Sequence, residues 1–456
     1  MSEGTVPAAG RLRDDLQAIW RAGLGAADPE PLVASGLRGS AAAGWTFRGE
    51  PLLPPAPGEP LFLFGAGKAA AALGQAVRRR LEEEQVSGRI IVKHGHRLDV
   101  PGVPVEEAGH PVPDAASMAG TRRLLGDLRA RKRRGRFLLL ITGGASALLV
   151  APAPGITFEE KARVNALLLA SGANIHEINT VRKHLSAVKG GQLLPFLPPE
   201  RSAALVISDV VGDDLTSIGS GPAVADPTTF AEALSVLRRF GILKAVPAAV
   251  RTRLEEGAAR QIPETPNPRE NPIPHHILAS NPQSLEAAAR EAARLGYRTE
   301  VFGRELDGEV HPTARAFAAR LAELASRPGR RALVGGGELT LRLQGEGVGG
   351  RSQEFALVAA RELHGVADVA LLAAGTDGTD GPTDAAGAFA DGATWGQAQG
   401  RDLDPADHLA RNDSWNLFRR TGDLFRTGPT GTNVMDLMIG LSAGAAAAPD
   451  DANGER

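Results

Sequence analysis

Several short apolar runs in this chain end directly in loops of glycine and small polar residues. They are LFLFGAGKAA (61–70), LLLITGGASALL (138–149), LVISDVVGDDLTSIGSGP (205–222), ALVGGGELT (332–340) and LLAAGTDGTDGPTDAAG (371–387). Apolar runs of this length, set between Ala-rich helical patterns, read as buried strands of a mostly parallel sheet. Further runs at 90–93 and 277–280 fit the same reading. The architecture expected is α/β, with helices on both faces of the sheet. Loops at the carboxyl ends of parallel strands line the crevice where such folds bind ligands. Glycine there lets backbone N–H groups approach a ligand closely, and successive N–H groups attract anions. With Asp and Thr clustered in three of these loops, the set points to a phosphate-rich ligand and a divalent cation.

A length of 456 residues predicts two or three domains with ample core. A helix is expected around 12–24, and PLLPPAPGEP (51–60) separates it from the first strand. IPETPNPRENPIP (262–274) contains five prolines and marks a domain boundary. The expected organisation is an N-terminal domain over 10–265, a C-terminal domain over 275–443 and a disordered tail over 444–456. Asn281 is the expected cap of a helix with Pro282 at its first position and Gly296 at its end. Thr157 and Glu160 form a capping box ahead of a helix running to about Ser171. RKRRGR (131–136) reads as a solvated helix end.

The chain has no Cys, which excludes disulfides, thiolate metal sites and Cys nucleophiles. Its 51 basic and 53 acidic residues give a net charge of −2, which argues against a nucleic-acid partner. No apolar run approaches the ~18 residues of a membrane span. Residues 1–15 lack the apolar stretch of a secretory signal. A cytoplasmic protein without a membrane partner is expected, and a homodimer is left open.

GAGKAA fits the loose dinucleotide pattern G-x-G-x-x-A through Gly65 and Gly67. The acidic residue that usually closes the second strand is replaced by Lys93-His94, which disfavours NAD and leaves NADP open. There is no Walker A motif, yet Lys68 stands where a strand–glycine–helix turn would aim an ammonium at phosphate. The alternative is a tight turn with an exposed lysine. Gly144-Ala145-Ser146-Ala147 resembles a nucleophile elbow but lacks its final glycine. Asp209 just past a strand is a candidate Mg²⁺ ligand or proton acceptor, and Asp213 and Asp214 follow it. Thr376, Asp377, Asp380 and Asp384 make either a metal-stiffened loop or an Asx-turn-rich one. Arg351 at a glycine-led helix start suits a carboxylate or phosphate, or else pairs with Glu338 or Glu354. RTGPTGTNVMDL (426–437) adds Asn433 and Asp436 beyond another Gly/Thr loop. His94 and His96 read as solvated, and His184 as structural.

Taken together, GAGKAA, ITGGASALL (141–149), NTVRKHLSAVKGGQL (179–193), ISDVVGDD (207–214), SIGSGP (217–222), GGGELT (335–340), GGRSQEFAL (349–357), AAGTDGTDGPTDAAG (373–387) and TGPTGTNVMDL (427–437) resemble glycerate 2-kinases of the MOFRL type. That family is in places also named hydroxypyruvate reductase. The resemblance covers residues 12–441, with small departures at Ser352 and Met435. It implies ATP- and Mg²⁺-dependent phosphorylation of the 2-hydroxyl of D-glycerate. It implies a large Rossmann-like doubly wound domain and a smaller C-terminal α/β domain, with the site in the cleft between them. Lys68, Arg351 and Asp209 are then the expected catalytic residues. Gly65, Gly67, Gly143, Gly144, Ser146, Glu338, Thr376 and Asp377 are expected to contact substrate or nucleotide, and Asp209 and Asp377 the metal. The alternatives are an NADPH-dependent hydroxypyruvate reductase and a non-catalytic nucleotide-binding regulator.

Overall fold

The computed structural model describes residues 8–267 and 272–444, so the expected tail lies, but for Gly444, outside the described residues. The chain forms two compact units. One is Pro29–Leu278; the other joins Ala279 onward with the N-terminal segment to Asp28. Among the described residues no helix is long and apolar enough to cross a membrane.

In the first unit β1 (Leu37–Ser40), β2 (Gly44–Phe47) and β3 (Glu50–Leu53) form a small antiparallel sheet. The first proline of the Pro-rich stretch, Pro51, sits in β3, an edge strand, where its missing N–H is tolerated. The main sheet comprises β4 (Leu61–Ala66), β5 (Val86–Lys93), β6 (Val105–Ala108), β7 (Arg136–Ile141), β8 (Ser202–Ile207) and β9 (His275–Ala279). Its order is β6-β5-β4-β7-β8-β9, and the pairs β5–β6, β4–β5, β4–β7 and β7–β8 are parallel. This is the doubly wound order of dinucleotide folds, with the chain reversing its course between β4 and β7. Every residue of β4, β7 and β8 is buried, as parallel strands covered on both faces require. Phe62, Phe64 and Phe137 pack with Leu124, Leu128 and Leu193 in one face's core.

Thr157 and Glu160 make the expected reciprocal cap. The Thr157 N–H donates to the Glu160 carboxylate at 2.8 Å, and the Glu160 N–H to Thr157 Oγ1 at 3.1 Å. RKRRGR differs at its last residue. Lys132 ends the helix Ala115–Arg131 in a left-handed conformation, but Arg136 opens β7 fully buried. Glu84 neutralises it at 2.6 Å, which is why strand burial of this charge is tolerated.

The second unit holds β10 (Arg298–Leu306), β11 (Arg331–Gly337), β12 (Val369–Gly375), β13 (Gly387–Asp391), β14 (Leu424–Phe425) and β15 (Asp436–Ser442). The order is β10-β11-β15-β12-β13-β14, and only β10–β11 is parallel. The expectation of a mostly parallel sheet therefore fails here. The last strand, β15, inserts between β11 and β12 and runs against both. The helix Ala8–Gly25 also belongs to this unit, not to the domain that its sequence position suggests. Leu12, Leu16, Ile19 and Trp20 share a core with Leu285, Val334, Leu372 and Ile439. Arg13 ties the helix to Asp423 at 2.6 Å, and Tyr297 donates to Asp15 at 2.6 Å.

The helix Asn281–Arg294 starts one residue earlier than expected. Ser280 is its cap, and the Ser280 N–H donates to Gln283 Oε1 at 3.2 Å. Asn281 is fully buried, and its amide donates to the carbonyls of Val434 at 2.8 Å and Asp436 at 3.0 Å. An amide committed to a neighbouring strand cannot also cap its own helix.

Candidate active site

In the first unit the functional motifs converge at the switch point of the sheet. Gly67 has φ +134°, and a Cβ there would lie 2.0 Å from Thr142 Oγ1. Only glycine lets the loop after β4 close onto the loop after β7. Three bonds join them: Thr142 N–H to Ala66 O at 3.0 Å, Lys68 N–H to Gly143 O at 2.8 Å, and Ala69 N–H to Thr142 Oγ1 at 3.1 Å. Gly65 is similarly cramped, since a Cβ would sit 3.0 Å from Leu140. At Gly144, φ is +84°, and a Cβ would fall 2.9 Å from the His110 ring and 3.3 Å from Lys68 Cγ. The half-buried Lys68 side chain therefore runs past bare backbone at the head of the helix Ala70–Arg80.

Ser146 Oγ lies 2.7 Å from Ser220 Oγ, and Ser220 donates to Asn179 Oδ1 at 3.3 Å. Lys189, nearly buried, donates from Nζ to the Ser146 carbonyl at 2.7 Å. Asp209 follows β8 directly and is half-buried. Asp214 is a turn cap. It accepts from the Thr216 N–H, the Thr216 hydroxyl and the Ser217 hydroxyl at 2.9, 2.8 and 2.7 Å. Burial opposes ionisation of Asp214, but these bonds, led by Ser217, hold its pKa below the usual carboxylate value. His96 Nδ1 is 3.1 Å from the Lys68 carbonyl, whereas His94 pairs with Asp114 at the surface. His184 is buried, with Nδ1 2.7 Å from Thr180 O and its ring against Phe230, a structural arrangement.

In the second unit the glycines of GGGELT each have a steric reason. A Cβ on Gly335 would crowd Leu306, one on Gly336 would fall 2.1 Å from Asn281 Oδ1, and one on Gly337 would fall 2.2 Å from Leu306 O. Glu338 follows them and pairs with Arg351. The dominant partner of Arg351 is Asp436, at 2.5 Å from Nε and 3.1 Å from an η nitrogen. Sequence reasoning noted Asp436 but not this pairing, because 85 residues separate the two. Glu354 instead meets His311 at 3.0 Å and Asn412 at 3.1 Å.

The Asp-rich loop divides its carboxylates among separate protein partners. Asp377 Oδ1 accepts from the Thr379 N–H at 2.9 Å and its hydroxyl at 3.0 Å, an Asx turn. Asp380 is buried and accepts the Ser352 and Gln353 N–H groups at 3.1 and 2.8 Å, capping the helix that Arg351 opens. Burial and the neighbouring Asp436 push the Asp380 pKa up to about 7, against the pull of those two bonds. Asp384 holds Trp415 and Arg426, each at 2.9 Å. The Thr376 hydroxyl is used on both sides, donating to Met435 O at 2.7 Å and accepting the Val434 N–H at 2.8 Å.

A Cβ on Gly375 would lie 3.3 Å from Asp436 Oδ1 and 3.4 Å from Asp377 Oδ1, so these two carboxylates approach one backbone position. Among the described residues no three carboxylate or imidazole groups could hold a metal by themselves. A Mg²⁺ ion entering with phosphate needs only one or two carboxylates and water.

Two family models match the chain: a domain of unknown function, DUF4147, over residues 15–255, and the MOFRL family over residues 331–436. The chain is 39% identical over 387 residues to a glycerate 2-kinase of Pyrococcus horikoshii, covering 84% of this chain and 87% of that one. It is 40% identical over 387 residues to a D-glycerate 2-kinase of Thermotoga maritima, covering 84% and 90%. The crystal structure of a Thermotoga maritima glycerate kinase superposes with a TM-score of 0.79 at 36% identity, covering 95% of this chain and all of that one.

Proposed function

The chain belongs to the MOFRL family and is a glycerate kinase, and from that premise we propose that it transfers the γ-phosphoryl of ATP, with Mg²⁺, to the 2-hydroxyl of D-glycerate. The observation that carries this reading is the switch point. There Gly67 lets the loop after β4 close onto Thr142, and Gly144 leaves backbone bare beside the Lys68 side chain.

Phosphoryl transfer needs positioning and charge neutralisation more than covalent help from the protein. Lys68 stabilises charge on the transferring phosphoryl group. Gly65 and Gly67 shape its loop, and Gly143, Gly144 and Ser146 line the phosphate and substrate side. Arg351 neutralises anionic oxygens as a fork oriented by Asp436 and Glu338, so its geometry is set before a ligand arrives. Thr376 fixes the loop that presents Asp377. Asp377 would hold Mg²⁺ brought in with the nucleotide, and the ion would supply neutralisation of phosphate charge there. Asp209 is then left to accept the 2-hydroxyl proton, since one carboxylate cannot serve both tasks.

The test is product identity. Protein incubated with D-glycerate, ATP and Mg²⁺ should give ADP and 2-phosphoglycerate by ³¹P NMR. Formation of 3-phosphoglycerate would overturn the regiochemistry. Oxidation of NADPH by hydroxypyruvate without glycerate phosphorylation would favour a reductase. Tight ATP binding without turnover of any hydroxy acid would favour a regulator.

A further inference from the structure

Lys189 is a buried lysine without a counter-charge among the described residues. It is 3% exposed, and the one hydrogen bond of its ammonium group among them is to the Ser146 carbonyl at 2.7 Å. An ammonium has three N–H donors. The other buried lysines of the first unit are provided for. Lys183 meets Asp226 at 3.4 Å. Lys161 donates to Leu185 O at 3.0 Å and Arg253 to His184 O at 3.0 Å, both at the carbonyl end of the helix Ile175–His184. A helix terminus of that sign favours cations. Among the described residues no carboxylate pairs with Lys189, and the charged groups that act on it are Lys161 and Arg182, both of like sign. A buried charge without a partner is costly, so it is either neutral or waiting for an anion.

Its surroundings are polar and sit at the carboxyl end of the sheet. Lys189 holds Ser146 in the loop after β7; Ser146 meets Ser220 in the loop after β8; Ser220 meets Asn179 on a helix. Ser146 is half-buried and opens this cluster to the outside. The phosphate-binding features, the Lys68 loop and the start of the helix Ala70–Arg80, lie on the neighbouring strand β4. Arg351, by contrast, already has two carboxylate partners.

We propose that Lys189, with Ser146 beside it, binds the carboxylate of the hydroxy-acid substrate. The proposal rests on the glycerate-kinase reading and adds the group that recognises the acid. It carries a signature. Burial, reinforced by repulsion from Lys161 and Arg182, holds the empty-site pKa of Lys189 well below the ordinary lysine value. A bound carboxylate raises it again. Above the empty-site pKa and below the bound-site pKa, D-glycerate binding therefore takes up a proton, and affinity falls as pH rises from the empty-site value to the bound-site value.

The experiment is calorimetric titration of the full chain with D-glycerate from about pH 6 to about pH 10, in two buffers of different ionisation enthalpy at each pH, alongside steady-state kinetics. Wild type should take up a proton with glycerate over part of that range. Lys189→Met should take up none and raise KM for glycerate roughly 10- to 100-fold, the worth of one charge-assisted hydrogen bond. KM for ATP should stay within about threefold by the same measure. Lys189→Arg should recover part of the affinity. Glycerate binding to wild type without proton uptake overturns the proposal, and that measurement stands even if Lys189→Met fails to fold. A variant whose ATP KM rises while its glycerate KM does not would overturn it too, placing the charge on the nucleotide. Failure of wild type to phosphorylate glycerate would instead refute the parent reading.

Discussion

Arg351 and Lys189 show two ways of keeping a cation near the end of a sheet. Arg351 lies between Asp436 and Glu338, with charge balanced and direction fixed by a bidentate contact. Lys189 lies among Ser146, Ser220 and Asn179, with direction fixed by one carbonyl and charge unbalanced. On the reading proposed above, the first arrangement meets its ligand pre-oriented and the second is completed only by what binds. The backbone repeats the contrast. In the first unit, glycines at positive φ pull two loops together at Gly67 and Gly144. In the second, Gly336 makes room for the Asn281 amide that holds the Asp436 strand.

The contrast breaks most visibly at Arg351. Arg351→Ala leaves the Asp436 carboxylate buried without its partner and should lower stability by about 3–5 kcal/mol, measured by urea unfolding. A loss under about 1 kcal/mol would mean that Asp436 does not depend on that pairing. Gly336→Ala drives a methyl group into Asn281 Oδ1 and should cost roughly 1–3 kcal/mol. A neutral outcome would show that Asn281 moves freely, and with it the account of how Asp436 is held.

Asp380 sharpens the comparison through pH. Its folded pKa of about 7 lies above the ordinary value of 3.8, so between those values the folded state holds a proton that the unfolded chain lacks. Stability from this group therefore falls as pH rises from ~4 to ~7. Wild type should lose stability relative to Asp380→Asn between pH 5 and pH 8, by up to roughly 3 kcal/mol. Parallel melting curves with a constant gap would refute the shift. The smallest effect belongs to the exposed pair His94–Asp114, where His94→Ala should change stability by less than about 0.5 kcal/mol.

Much of this was legible in the sequence, where local chemistry decides the outcome. Continuous apolar runs marked β4, β7, β8, β11 and β12, because strands buried on both faces need no alternation. Thr157 and Glu160 marked a helix start, because a capping box closes within one turn. Long-range pairing was not legible. The strand β15 follows a Gly/Thr loop, begins with Asp436, and gains its place only by inserting between strands formed earlier in the chain. Asp436 as the partner of Arg351 follows from that insertion. The polar segment around Asn179, Lys183 and His184 is buried, and Asn179 and Lys183 meet Ser220 and Asp226 from the stretch after β8, pairings that no local pattern encodes. The helix Ala8–Gly25 joined the second unit for the same reason: its apolar stripe fits a sheet assembled some 300 residues later, between Ala332 and Leu441.

The most direct measurement of the central claim is kcat for phosphorylation of D-glycerate by Lys68→Ala. If Lys68 stabilises charge on the transferring phosphoryl group, kcat falls roughly 10²-fold or more, with the fold intact by circular dichroism. A value within about threefold of wild type would contradict the account, because a contact made to developing charge cannot be removed so cheaply.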